Sequence, residues 1–143
     1  MKAKSASARK KIETIKKTPI RTTNNKDITS AVLAAQAAED KKGKDLLLLD
    51  VSKLTAISDY FLIISAESNI QVQAIANFVE ATLSEKGFKP IAREGFSHAS
   101  WIVVDYGDLV VHVMHEKERE FYKLERFWSN ATTVDKKVWK KDS

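Results

Sequence analysis

The sequence predicts an α/β fold of the α+β kind, in which a mixed sheet of about five strands carries packed helices. The chain has 143 residues of which 43% are hydrophobic, enough for one domain with a real core. Its apolar runs have strand length, and none approaches the roughly 18 residues of a membrane span. Segments of helical period alternate with these runs in the order αββαβββα, which is typical of helices packed on a sheet.

The N-terminal part of the domain predicts one helix and two strands. The helix runs from Asp27, which can cap it, to about Lys42. Residues 45–51 and 59–65 follow as strands, separated by a polar turn. Both runs are apolar on both faces, so we expect both strands to be covered on both sides.

The segment Ser68-Asn-Ile-Gln71 matches a capping box and predicts the start of a second helix. The serine is expected to accept from a backbone amide three residues on, and the glutamine to reach back. The helix is predicted from about Asn69 to Lys86, before Gly87. Its apolar stripe comprises Val72, Ile75, Ala76, Val79 and Leu83.

A short strand over 89–94 and a hairpin complete the predicted sheet. β-branched and aromatic residues dominate 101–106 and 109–115, and Gly107-Asp108 between them is a favoured two-residue turn. A final helix is predicted from Glu116 to Trp128. Its sheet-facing side chains are expected to be Phe121, Leu124, Phe127 and Trp128.

The charge divides the chain into a basic tail and a mildly acidic domain. Residues 1–26 hold nine Lys or Arg and one acid, whereas residues 27–143 hold 15 basic and 18 acidic residues. We predict a flexible basic tail over 1–26, a folded domain over 27–131 and a polar tail over 132–143. The basic tail favours nucleic acid or another anionic surface, although an acid-poor leader is also compatible with an organelle transit peptide.

Several kinds of chemistry are disfavoured by the residues present. The chain has no cysteine, which excludes a disulfide scaffold and a thiol nucleophile. His112 and His115 are three apart on a strand and point to opposite faces, so they do not readily chelate one ion. No Gly-rich phosphate loop is present. We therefore expect no metal, no cofactor and no enzymatic activity.

One catalytic alternative stays open. Asp50, Asp59 and Asp105 each lie near a strand end, where open sheets bind ligands, and paired carboxylates can hold magnesium for nucleotidyl transfer. However, no Asp-x-Asp pair lies on a strand. The simpler interpretation is that these aspartates cap turns and helices.

The hairpin carries the polar and aromatic residues that suggest a recognition surface. Alternation places Trp101, Val103 and Asp105 on one face, and Ile102, Val104 and Tyr106 on the other. Because the second face is the more apolar one, we expect Trp101 to be exposed or partly exposed. Its acidic neighbours favour a basic protein partner over nucleic acid.

Six pieces of the chain, in order and with matching spacing, resemble the ribosomal silencing factor family, also called the Iojap family. The matching motifs are Leu49-Asp-Val-Ser52, Asp59-Tyr-Phe61, Glu94-Gly95, Trp101-Ile-Val-Val-Asp-Tyr-Gly-Asp108, Val111-His-Val113 and Arg119-x-x-Tyr-x-Leu-Glu-x-x-Trp128.

The resemblance implies a fold related to nucleotidyltransferases without their catalytic residues. It implies binding to the large ribosomal subunit through universal protein fourteen, which blocks joining of the small subunit and slows translation when nutrients are short. It also implies a frequent homodimer and either a bacterial cytoplasmic or an organellar location. Trp101 matches the family's tryptophan at the ribosomal contact, and the surrounding positions match Glu94, Asp105, Tyr106, Asp108 and His112.

The chain departs from the family pattern at one turn. Where the family commonly has glycine and arginine, Ser65-Ala-Glu-Ser-Asn-Ile-Gln71 has Ala66 and Ile70. We therefore do not expect the family's arginine to have a counterpart here. The basic residues 1–26 lie outside the matching motifs, and we expect them to contact ribosomal RNA. A general RNA-binding module acting through this tail is a further alternative.

Overall fold

Six strands form one mixed sheet in the computed structural model, which describes residues 26–141. The order across the sheet is β3-β4-β5-β2-β1-β6. The strands are β1 (Lys44–Asp50), β2 (Tyr60–Ala66), β3 (Ala92–Glu94), β4 (Trp101–Asp105), β5 (Leu109–His115) and β6 (Thr132–Thr133). The helices are α1 (Thr29–Asp40), α2 (Asn69–Glu85), α3 (Glu116–Tyr122), α4 (Leu124–Phe127) and α5 (Lys136–Trp139).

The two central strands are the parallel pair of the sheet. β2 pairs parallel with β5, while β1, β3, β4 and β6 join by antiparallel pairing. The predicted fold class is confirmed, with β6 as a strand beyond the expected five. The hairpin turn is also confirmed, because the Tyr106 amide donates to the Leu109 carbonyl at 2.8 Å and Gly107 has φ +92°.

The first face of the sheet is covered by α1 and α2. The predicted stripe of α2 is buried there, and its N-cap forms as expected, with Ser68 Oγ accepting from the Gln71 amide at 3.1 Å. The other half of the capping box is wrong. Gln71 Nε2 donates instead to the Lys41 carbonyl at 2.7 Å, so it ties α2 to the end of α1.

The second face is covered by the segment that follows β5. Its buried residues are Leu49, Val51, Phe61, Ile63, Trp101, Val103, Val110, Met114, Leu124 and Trp128. Because both faces are covered, every residue of β2 is buried, as predicted. The prediction that β1 is also covered on both sides is only partly right, because the first two residues of β1 are exposed.

The single helix predicted from Glu116 to Trp128 is wrong. Lys123 adopts the left-handed conformation, with φ 48° and ψ 52°, and separates α3 from α4. This break turns Leu124 and Trp128 into the core, while Phe121 lies on the outside with 69% of its surface exposed. Helical spacing alone had placed Phe121 against the sheet.

The folded part of the chain extends beyond the boundary that we predicted at residue 131. Thr132 and Thr133 pair with β1, and the side chain of Trp139 is only 2% exposed within the core on the α1 side. An apolar side chain of this size explains why the segment folds back. The basic tail predicted over 1–26 lies outside the described residues, apart from Lys26, which pairs with Asp50.

Candidate functional site

Four of the six predicted site residues share the second face of the sheet. Trp101 and Asp105 alternate on β4, and His112 lies opposite Val103 in the register of β4 and β5. Glu94 of β3 also pairs with Val103 and therefore lies on this face. Glu94 therefore contributes a half-buried carboxylate to the same face of the sheet as His112.

The other two predicted residues lie elsewhere. Tyr106 belongs to the core on the α1 and α2 side, as the alternation predicted. Asp108 lies in the hairpin turn, half-buried, and its carbonyl accepts from the amides of Asp59 and Tyr60 at 3.0 Å each. Asp108 therefore ties the turn to the start of β2 through its backbone.

Trp101 is not an exposed anchor. Only 2% of its surface is accessible, and its indole Nε1 donates to His112 Nδ1 at 3.1 Å. The prediction that Trp101 is exposed was wrong. It compared the two faces of the hairpin but did not include the segment after β5, which covers the less apolar face. Such a hydrogen bond between buried groups fixes the orientation of both rings.

Tyr122 packs on Trp101, and Phe121 packs in turn on Tyr122. The ring of Tyr122 is 5.0 Å from that of Trp101, and Phe121 meets Tyr122 edge-to-face at 4.9 Å and 89°. We call Trp101, Tyr122 and Phe121 the aromatic stack. It runs from the buried face of the sheet to the surface, and Phe121 is the functional candidate that sequence reasoning missed.

The aspartates near strand ends are engaged in local structure. Asp105 Oδ1 accepts from the Gly107 amide at 2.8 Å, inside the hairpin turn. Asp50 accepts from the Ser52 amide at 3.0 Å and from its hydroxyl at 2.6 Å. Burial raises the pKa of Asp50, but the hydrogen bonds from Lys26 and Ser52 outweigh burial and hold that pKa below its ordinary value. These contacts match the capping interpretation.

Arg119 of α3 makes contacts that sequence reasoning did not anticipate. Its Nη1 donates to the Asp45 carbonyl at 2.5 Å and to Ser65 Oγ at 2.9 Å, and its Nε lies 3.6 Å from Glu125 Oε1. One guanidinium therefore joins β1, β2 and α4 to α3. In the sequence, Arg119 was singled out only as the first residue of the family motif that ends at Trp128.

Neither a metal-binding cluster nor a membrane-spanning helix occurs in the part of the chain that the structure describes. Residues 26–141 contain no group of three or more acidic or histidine side chains placed to hold a metal ion. Within the same range, no helix is both long and apolar enough to cross a membrane.

Comparisons with known proteins agree on one family. Residues 23–143 match the family described as ribosomal silencing factor during starvation. The chain is 44% identical to the ribosomal silencing factor of Bacillus subtilis over 103 residues, covering 72% of this chain and 87% of that protein. It is 36% identical to the chloroplastic Iojap protein of Zea mays over 108 residues, 76% of this chain and 47% of that one.

Solved structures give the same result. A crystal structure of a Chromobacterium violaceum protein superposes with a TM-score of 0.71 at 40% identity, covering 73% of this chain and 88% of the other. A crystal structure from Bacillus halodurans gives a TM-score of 0.68 at 37% identity, covering 76% and 99%. The family match, the identity to its members and the shared fold show that this chain belongs to the ribosomal silencing factor family.

Proposed function

We propose that this protein binds the large ribosomal subunit through universal protein fourteen, blocks joining of the small subunit and thereby represses translation when nutrients are limiting. The family match over residues 23–143 carries the proposal, because it spans the whole described fold. A mouse relative, 27% identical over 92 residues, is named mitochondrial assembly of ribosomal large subunit protein 1, which supports a large-subunit partner. We further propose that the free protein is a homodimer in the bacterial cytoplasm.

The proposed contact surface is the outer end of the aromatic stack together with the half-buried carboxylate of Glu94, which lies on the same face of the sheet. Asp105, which is 6% exposed and accepts from the Gly107 amide, and Asp108 belong to the hairpin turn and are not part of this surface. An aromatic ring 69% exposed, such as Phe121, is a suitable binding anchor because large rings contribute most at interfaces. The carboxylate of Glu94 would face Lys or Arg of the ribosomal protein and orient the encounter. Trp101 and His112 support this surface from beneath, while Tyr106 is buried on the opposite side of the sheet.

The function is tested by sedimentation with purified ribosomal subunits. We expect the protein to co-sediment with large subunits and to reduce the yield of joined ribosomes when small subunits are added. Failure to bind large subunits at low salt would overturn the proposal. Binding without any effect on subunit joining would overturn its steric part.

The contact surface is tested by Phe121→Ala. We expect large-subunit affinity to fall roughly 10- to 100-fold, the range for losing an aromatic anchor, with little change in stability. Val138→Ala is the matched control, because Val138 is 51% exposed on α5 and lies outside the proposed surface. Equal affinity of both variants and wild type would exclude the aromatic stack as the contact.

Trp101→Ala is a poor test of binding by itself. Removing a buried tryptophan costs roughly 3–5 kcal/mol of folding free energy, so lost binding would report lost structure as well. Trp101→Phe keeps an aromatic ring and removes the hydrogen bond to His112, and is the better variant.

We also propose that the basic segment 1–26 contacts ribosomal RNA. Its nine basic residues, joined to a domain with more acids than bases, motivate the proposal. Each phosphate contact steepens the salt dependence of binding, so deleting 1–26 should lower affinity and flatten the salt slope. An unchanged slope after deletion would exclude RNA contact by this segment.

A further inference from the structure

Helix α3 lies over the sheet without burying any residue of its own. A helix of seven residues is too short to be stable alone, and it normally depends on an apolar face packed against its neighbours. Here the space between α3 and strands β1 and β2 holds a cavity of about 620 Å³ whose lining residues are all polar or charged. Apolar packing therefore holds α3 only at its last residue, Tyr122, which packs against the core of the second face.

The contacts of Arg119 supply a second, polar attachment in the middle of the helix. The register of β1 against β2 advances three residues, from Lys44 to Leu47, while β2 advances two, from Ser65 to Ile63. This bulge places Asp45 at φ +50° and takes its carbonyl out of the regular ladder. Arg119 donates to that carbonyl and to the buried hydroxyl of Ser65. It therefore provides a hydrogen-bond partner for the carbonyl that the bulge frees and for the hydroxyl that the fold buries.

The same guanidinium also reaches the next helix. Its Nε lies 3.6 Å from Glu125 Oε1, across the left-handed break at Lys123. Arg119 is 11% exposed at its side chain, so this contact is shielded from solvent on the arginine side. One side chain thus holds α3 to the sheet and fixes how α3 and α4 meet.

The attachment bears directly on the aromatic stack. Tyr122, three residues after Arg119, is the last residue of α3 and contacts the ring of Trp101 at 5.0 Å. We infer that Arg119 is a positioning residue for the ribosomal contact: it holds α3 against the bulge of β1 so that Tyr122 packs on Trp101 and Phe121 packs on Tyr122. This inference rests on the proposed function and on the contact surface given above.

The geometry requires arginine rather than any cation. Donation to two acceptors on different strands, with a third group near Nε, uses the planar fork of the guanidinium. A lysine would keep the positive charge near Glu125 but present a single ammonium group. Arg119→Lys should therefore lie between wild type and Arg119→Gln in every measurement.

The experiment compares large-subunit affinity, melting temperature and the environment of Trp101 in the full-length chain. Fluorine NMR of 5-fluorotryptophan-labelled protein reports Trp101, with its resonance assigned from Trp101→Phe. We expect Arg119→Gln to lower affinity at least tenfold and to shift the Trp101 resonance. Ile75→Val, in the buried stripe of α2 on the other face, is the control for destabilisation alone and should change neither.

The outcomes separate this inference from the proposed function. If wild type binds large subunits and folded Arg119→Gln binds equally well, the positioning role is overturned and the function stands. If Ile75→Val loses affinity in proportion to its melting temperature, a purely structural role is sufficient and the inference is overturned. If Arg119→Gln does not fold, Arg119→Lys and Ser65→Ala carry the same test. If wild type does not bind, both proposals are overturned.

Discussion

At the scale of single residues, Tyr106 carries a buried polar group that the described residues do not satisfy. The residue is 9% exposed, and its hydroxyl has no hydrogen-bond partner within residues 26–141. An unsatisfied buried hydroxyl destabilises the folded state, so Tyr106→Phe should keep or raise stability at neutral pH, by up to about 1 kcal/mol. Urea unfolding of the two proteins measures this difference, and a clear loss of stability would reveal a partner for the hydroxyl.

Tyr106 also predicts a pH dependence at the alkaline end. Burial, followed by the charge of Glu80, raises the pKa of Tyr106 to about 12. Because the ordinary value is about 10, the folded state holds this proton more tightly than the unfolded state. Its contribution to stability is complete below about pH 10 and is lost as pH rises through about 12. The stability of wild type should therefore fall further below that of Tyr106→Phe across that window; a difference that stays constant with pH would contradict the shift.

At the scale of elements, the N-cap of α2 is a local feature with a measurable contribution. Ser68 Oγ accepts from the Gln71 amide at 3.1 Å, one of the amides that a helix start leaves unpaired. Ser68→Ala should destabilise the protein by about 0.5–2 kcal/mol, and Ser68→Gly by only a few tenths. Chemical denaturation checks both variants. Equal loss in the two would mean that the hydroxyl contributes little as a cap.

The same helix shows why sequence reasoning succeeded for some elements. The start of α2 and its buried stripe depend on a cap and on spacing within one segment, and both were predicted correctly. The division of α3 from α4 depends on Lys123 adopting a left-handed conformation, which lysine rarely does. No local signal marks that residue, because the conformation is imposed by the contacts of Arg119, Leu124 and Trp128 with distant parts of the sheet.

At the scale of the whole molecule, the C-terminal segment closes the core. Trp139 is 2% exposed and belongs to the core that α1 and α2 form on the first face. Trp139→Ala should therefore destabilise the protein by roughly 3–5 kcal/mol, although the residue lies near the chain end. Val138→Ala is the neighbouring control, since surface substitutions usually stay within about 0.5 kcal/mol. Thermal unfolding of both variants distinguishes a docked segment from a loose tail.

The candidate site shows the same division between local and distant determinants. The alternation of β4 correctly placed Trp101 with Asp105 and separated both from Tyr106. It did not predict that Trp101 is buried, because the exposure of a residue on a sheet depends on which other segments pack on that face. The exposed aromatic residue is Phe121 of α3, and its position follows from the break at Lys123 and the attachment of Arg119.

The sequence by itself determined the fold class, the hairpin, the cap of α2 and the family, since each depends on spacing or local chemistry along the chain. Tertiary structure decided which side chains of the site reach the surface. The pleat assigns residues to faces with period two, but burial is set by long-range packing of later segments on those faces. Trp101 is therefore a buried support, and Phe121 is the ring that the folded protein presents.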